Sequence, residues 1–362
     1  MKILIVTDAW LPQTNGVVRA LREILPYLER AGHEVRVVGP DQHRFFCVSM
    51  PGYRSIPLEF LSEGRLRKIV SDFQPEAVHI ATEGPLGWTA RKLCMLRKIP
   101  FTTALHTRFP EYAAARLPRI LRPLIVSLGY QWLRFFHKPA RTVLVSTLSL
   151  EKDLLAHGFT NVGRWPLGVA AARFQQGAFA ADPFSDLPRP ILLYVGRVAI
   201  EKNLPAFLKI ETEGTKIVIG DGPDLARWKK AYPDVSFLGR KPNAALGPYY
   251  AHADLFVFPS KTDTFGLVLL EACAAGLRCA CYPAPGPLDV FADPESSRFV
   301  AIDRDLQKAV DRALLLPRDP PAIKAFAAKF SWESTARSFL NYLSPLTLNF
   351  FPEPVDGEGQ NL

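Results

Sequence analysis

The 362-residue chain predicts an α/β protein of two doubly wound domains, each a parallel sheet covered by helices on both faces, set opposite one another across a cleft. Three observations carry this expectation. Short apolar runs alternate with segments of helical spacing along most of the chain. That alternation is interrupted over residues 169–190, a stretch rich in Ala, Gln, Pro and Asp that reads as a linker. The length also suffices for two separate cores.

Taken in order, the first domain, residues 1–168, opens on a strand at 2–7 and continues with strands at 35–38, 77–81, 101–105 and 143–145. Its first helix, 17–30, places Val17, Leu21, Leu25 and Leu28 at helical spacing, and Pro26 inside it predicts a kink or an early bend. Further helices are expected at 86–97 and 150–157. The second domain, 191–331, carries strands at 191–195, 216–219, 235–238, 254–259 and 279–282. Its helices are expected at 206–210, 225–231, 247–252, 266–275 and 306–315, the fourth closing at Gly276, a natural C-terminal cap. A last helix at 332–343 precedes a loose tail, 344–362, that contains Pro345, Pro352 and Pro354.

Composition narrows the function. The formal net charge of +9 favours anionic partners: nucleotide phosphates, anionic lipid or nucleic acid. No zinc-finger spacing, RNP-like motif or long Lys/Arg block supports the last of these. The five cysteines, Cys47, Cys94, Cys273, Cys279 and Cys281, form no C-x-x-C pair and are odd in number, which reads as a reduced compartment. The opening apolar run is too short for a signal peptide or a spanning helix, so a cytoplasmic protein is expected, at most peripheral at the inner face of the plasma membrane. Residues 112–138 mix Leu, Ile, Trp and Phe with Arg116, Arg119, Arg122, Arg134 and Lys138, and no acidic residue falls between Glu111 and Glu151. This pattern suits the headgroup boundary of an anionic bilayer, and equally a packed face with a solvated basic side. Pro118 and Pro123 break the segment, so it does not span.

Four motifs carry chemistry. In residues 254–289 Asp263 precedes a helix and Glu271 lies eight positions on, inside an otherwise apolar run beginning Gly266–Leu267. Alone, Asp263 reads as an N-terminal cap and Glu271 as part of a solvated face. A carboxylate buried there instead needs a hydrogen-bonding partner, for which ribose hydroxyls are suitable. In YVGRVAIEKN Arg197 and Lys202 follow a strand five positions apart; a guanidinium forks two phosphate oxygens and an ammonium adds a compact charge. In TDAWLPQTNGV Asn15–Gly16 forms a turn before a helix whose amides are able to face phosphate or sugar. In HTRFPEY His106 follows a strand, with Arg108, Glu111 and Tyr112 behind it. A fifth pattern, Asp303-x-Asp305, resembles a metal-binding DxD but directly precedes a helix, where Asp305 is read as a cap.

Together these motifs resemble family 4 retaining glycosyltransferases. Phe265, Gly266, Glu271, Ala272 and Gly276 fall in that family's EX7E pattern, with Asp263 in place of its first Glu, and the matches extend over roughly residues 4–340. The resemblance implies the GT-B fold, two Rossmann-like domains facing across a cleft, with the last helix packing back towards the first domain. It implies that Arg197 and Lys202 clamp the donor diphosphate, that Glu271 holds the nucleotide ribose, and that Asp263 lies near the donor sugar. Gly16, with Asn15, would close on the diphosphate and sugar; Gly266 and Leu267 would add helix amides. Leu238 and Arg240 would lie beside the base. His106 would stand near donor sugar and acceptor, with Arg108, Glu111 and Tyr112 shaping the acceptor side. Gly168–Val169 matches a hinge pattern in which Ala170 replaces an Asp. The activity implied is retaining transfer of a hexose from a nucleoside diphosphate sugar to a lipid or glycan hydroxyl, with GDP-mannose the first donor and a UDP-hexose the second. No obligatory metal or other cofactor is expected. A UDP-sugar epimerase, which needs no acceptor, and a non-catalytic basic binding protein are the alternatives. Product analysis without acceptor separates the first; turnover of any nucleotide sugar eliminates the second.

Overall fold

A computed structural model describes residues 1–13, 15–40, 47–50, 53–60, 62–115, 118–175 and 181–343, with side chains outside the description at 47–50, 53–57, 112, 113, 115 and 175. The expected tail, 344–362, lies outside the described residues.

Two six-stranded parallel sheets form the frame. Across the first, the order is Glu34–Val38, Lys2–Val6, Ala77–Ile80, Phe101–Leu105, Val143–Val145, Val162–Arg164. Across the second it is Ser236–Gly239, Thr215–Ile219, Ile191–Val195, Leu255–Phe258, Cys279–Cys281, Val300–Ile302. The central strands are buried on both faces, which explains why they read as unbroken apolar runs rather than as alternation. A two-stranded antiparallel hairpin, Cys47–Met50 with Tyr53–Glu59, is an addition that the sequence pattern does not predict.

The expected strands and helices fall within a few residues of their predicted limits. The Gly16–Arg30 helix continues past Pro26, starts on Asn15, whose side chain accepts from Val18 N at 3.0 Å, and buries Val18, Leu21, Ile24 and Leu28. Its buried stripe is therefore turned slightly from the one through Val17 and Leu25, which are half-buried. Further elements are absent from the sequence-based expectation, among them the strands Val162–Arg164 and Val300–Ile302 and the helices Glu63–Phe73, Phe109–Ala115, Arg122–His137, Pro285–Val290 and Pro320–Ala328. Pro123 does not interrupt a helix; it sits in the first turn of Arg122–His137, where its missing N–H has no helical partner to lose.

The chain crosses from the first sheet's domain to the second near Val169, which bridges Ser331 while its amide donates to the Phe330 carbonyl at 2.9 Å. The returning helix, Trp332–Tyr342, lies against the first domain: Trp165 Nε1 donates to the Thr335 carbonyl at 3.0 Å, and the Phe339 ring meets His79 edge-on at 4.9 Å.

Candidate active site

In the second sheet the connections diverge between Ile191–Val195 and Leu255–Phe258, and a crevice opens at the carboxyl ends of strands at such a switch point. Two of the motifs leave from there. Ile191–Val195 runs into Gly196 and Arg197; Leu255–Phe258 runs into the loop that carries Asp263. The loops are knitted together. Lys202 Nζ forms an ion pair with Asp263 Oδ1, Thr262 Oγ1 donates to the Glu201 carbonyl at 3.0 Å, and Asn203 Nδ2 donates to the Pro259 carbonyl at 3.1 Å. Arg197 lies 3.9 Å from Glu201 and stays 39% exposed, and Tyr194 Oη donates to its carbonyl at 2.8 Å. The Gly220–Pro223 turn braces this loop from behind: a Cβ on Gly220 would stand 1.8 Å from the Gly196 carbonyl oxygen.

Asp263 does not cap the following helix. Gly266, in the left-handed region at φ 85°, takes the N-cap position of Leu267–Ala274, and Asp263 is turned to Lys202 instead. Glu271 is not on a solvated face either. It is fully buried among Leu270, Ala272 and Cys273, and its charge is met by Arg19 of the first domain and by Tyr250 Oη, which donates at 2.8 Å. Burial alone would lower the Arg19 pKa, but the Glu271 carboxylate more than offsets it and the net direction is upward. The Tyr250 hydroxyl is pushed well up, first by burial and then by Glu271. Sequence reasoning missed both partners; Arg19 stands three positions after Gly16, in a helix read only for its apolar spacing.

From the first domain, Gly16 is exposed at the helix start beside the Asn15 cap, and a Cβ added to Gly16 would meet nothing within 4 Å. His106 is brought to the second domain's loop directly: Thr264 Oγ1 donates to its carbonyl at 2.8 Å. Its ring packs edge-on to Trp165 at 6.0 Å, and its Nε2 is buried without a protein partner. Burial, with His137 nearby, pulls its pKa down to about 4, so the ring is neutral at about pH 7. Arg108 lies 3.2 Å from Asp153, and Tyr130 Oη stands 2.7 Å from Glu111 and 2.9 Å from Asp153. Arg108 and Glu111 thus belong to one ionic network, while the Tyr112 side chain lies outside the described residues. Leu238 is half-buried and Arg240 exposed at the end of the second sheet's edge strand, two strands from the switch point.

Among the described residues no group of three or more His, Cys, Asp or Glu is arranged to hold a metal ion. Asp305 caps its helix, accepting from Gln307 N at 3.0 Å, and Asp303 pairs with Arg312 at 3.3 Å.

Two facing Rossmann-like domains, with basic and acidic motifs at the strand ends of the second, form the GT-B fold. Residues 14–173 match the family description Glycosyltransferase Family 4, and residues 178–330 match Glycosyl transferases group 1. The chain is 30% identical over 313 residues to a GDP-mannose-dependent alpha-mannosyltransferase of Mycobacterium tuberculosis, covering 80% of this chain and 81% of that one. It is 26% identical to an alpha-monoglucosyldiacylglycerol synthase of Streptococcus pneumoniae, over 88% of this chain and 79% of that one. In structure it resembles the sucrose-phosphate synthase of Thermosynechococcus elongatus with a TM-score of 0.71 at 19% identity, over 94% of this chain and 97% of that one. The chain belongs to glycosyltransferase family 4. It is a hexosyltransferase that takes its sugar from a nucleotide sugar.

Proposed function

We propose that the protein moves mannose from GDP-mannose to a hydroxyl of a lipid or glycan, with retention at the anomeric carbon. The observation that carries the donor half is the convergence of Arg197, Lys202 and Asp263 at the switch point, with Lys202 and Asp263 in contact. The mannose and guanine choice rests on the relative of which 81% is covered; a UDP-hexose is the second donor.

Bond breaking leaves charge on the donor's β-phosphate. Arg197, Lys202 and the amides near Gly266 and Gly16 supply the compensating positive charge, and no metal is required for it. Such preorganised charge is what lowers the barrier most in reactions of this kind. Asp263 holds Lys202 and meets the sugar hydroxyls; Glu271 takes the ribose, with Leu267 opening the helix beside it and Leu238 and Arg240 near the base. Neutral His106 serves as a hydrogen-bonding group at the sugar and acceptor, with Arg108, Glu111 and Tyr112 on the acceptor side. The acceptor hydroxyl attacks from the side of the leaving phosphate, whose oxygen takes its proton.

The acceptor is read from the surface beside His106. On the Arg122–His137 helix and the turn before it, Ile120, Leu124, Leu128, Trp132 and Phe135 are exposed by 86, 57, 50, 45 and 62%, spaced three or four residues apart along one stripe. Arg119, Arg122, Arg134 and Lys138 are exposed around it, while Arg116 lies outside the described residues. A stripe of this kind fits the surface of an anionic bilayer and would hand a lipid hydroxyl to the cleft. The first experiment is a donor panel: purified protein with GDP-mannose, UDP-glucose and UDP-galactose, each with and without diacylglycerol vesicles. Acceptor-dependent mannosyl lipid supports the reading. A product formed without acceptor would transfer the case to the epimerase.

A further inference from the structure

Glu271 poses a problem for any ribose-binding role. It is wholly buried, Arg19 occupies Oε1, and Tyr250 occupies Oε2 at 2.8 Å. A carboxylate in so apolar a helix requires such partners, and two ribose hydroxyls arriving as donors would compete for the same oxygens. Tyr250 belongs to the same domain as Glu271 and its ring is wedged against Phe174 and Phe256, both at 5.6 Å. Arg19 differs: it reaches in from the opposite domain, on the helix that begins at Gly16, and its side chain keeps 23% exposure.

Resting on the assignment of Glu271 to the ribose, we propose that Arg19 is a cross-cleft positioning residue that occupies Glu271 until the nucleotide ribose displaces it. Parting of the domains about the crossing near Val169 withdraws Arg19 with its helix and uncovers the carboxylate. Glu23 stands one turn further along the same helix, where an i, i+4 neighbour receives the freed guanidinium; it now pairs with Arg173. The Arg173–Glu23 pair also spans the domains, so their parting frees Glu23 as it frees Arg19, whereas Thr264 to the His106 carbonyl at 2.8 Å and Ser149 N to Asp289 at 3.1 Å have a neutral partner on at least one side and part at less electrostatic cost. The latch keeps Glu271 oriented while lowering apparent nucleotide affinity by the fraction of molecules in which it is open.

The test is calorimetric titration of GDP, UDP and 2′,3′-dideoxy-GDP into the full chain. Arg19→Met should bind GDP, or UDP if that binds better, about tenfold more tightly than the parent, the shift expected when a state populated near ~10% becomes dominant. Arg19→Lys, which keeps the charge but loses the fork, should fall between and gives the answer should the methionine variant fold poorly. The gain should vanish with the dideoxy probe and in a Glu271→Gln background. Arg19 variants that bind the nucleotide no better than the parent, while Glu271→Gln alone binds worse, would overturn the latch and leave the ribose assignment standing. Unchanged affinity in Glu271→Gln alone would remove that assignment itself. A gain that persists with the dideoxy probe would overturn the exchange.

Discussion

Replacing Lys202 by methionine separates the catalytic from the structural part of the site. The ammonium is in contact with Asp263, and the two side chains are 26% and 13% exposed. A pair so placed is screened by water on one side, so its loss should cost about 1–2 kcal/mol of stability, between the values for exposed and for buried pairs. The effect on turnover is of another size. Removing one donor aimed at developing transition-state charge typically lowers kcat about 10²–10³-fold, about 2.7–4 kcal/mol. Nucleoside diphosphate release at saturating donor, alongside thermal unfolding, measures both. The double variant Lys202→Met/Asp263→Asn should recover most of the lost Tm, because no unpaired carboxylate remains, yet recover none of the kcat. A kcat within about threefold of the parent, or a double variant that regains activity with stability, would refute the assignment of Lys202 to the phosphate.

Further outcomes follow from the same geometry. Arg197→Lys should leave turnover far below the parent, since one ammonium does not reproduce a two-pronged guanidinium; a rescued kcat/KM would contradict this. Asp263→Asn should weaken the sugar donor more than the free nucleoside diphosphate, whereas Glu271→Gln should weaken both alike, as titration of each ligand will show. The buried rings of His79 and His106 have pKa values pulled down to about 3 and about 4 from 6.5, so the unfolded chain takes up protons first as pH falls. Their contribution is complete above about pH 6.5 and is lost as pH drops from there towards about 4 for His106 and about 3 for His79, by at most about 1.4 kcal/mol per pH unit for each ring; His79→Gln should flatten that slope in urea unfolding. Co-sedimentation with phosphatidylglycerol vesicles should fall with salt and with Arg119→Ser/Arg122→Ser; binding indifferent to both would remove the bilayer from the reaction.

The placement of Arg197 and Lys202 at a strand end was legible because type and spacing are local: the two lie in one loop, and the strand before them is an apolar run of ordinary length. Asp305 as a cap was legible for the same reason. What escaped was either too short or too distant. Val162–Arg164 and Val300–Ile302 hold three residues each, fewer than any periodicity needs, and are strands only because a neighbouring strand pairs with them. Glu63–Phe73 did carry a signal, with Leu66, Val70 and Phe73 on one face, between charged residues that masked it. The partners of Glu271, Arg19 and Tyr250, are remote in sequence, and only the closing of one domain on the other brings Arg19 there.

The central claim is retention of configuration in transfer from a nucleotide sugar, and NMR of the isolated product tests it most directly. With GDP-mannose and a diacylglycerol acceptor, the one-bond carbon–proton coupling at the anomeric centre should report an α-mannoside, the configuration of the donor. A β-mannoside would contradict attack from the leaving-group side and with it the roles given to Arg197, Lys202 and His106.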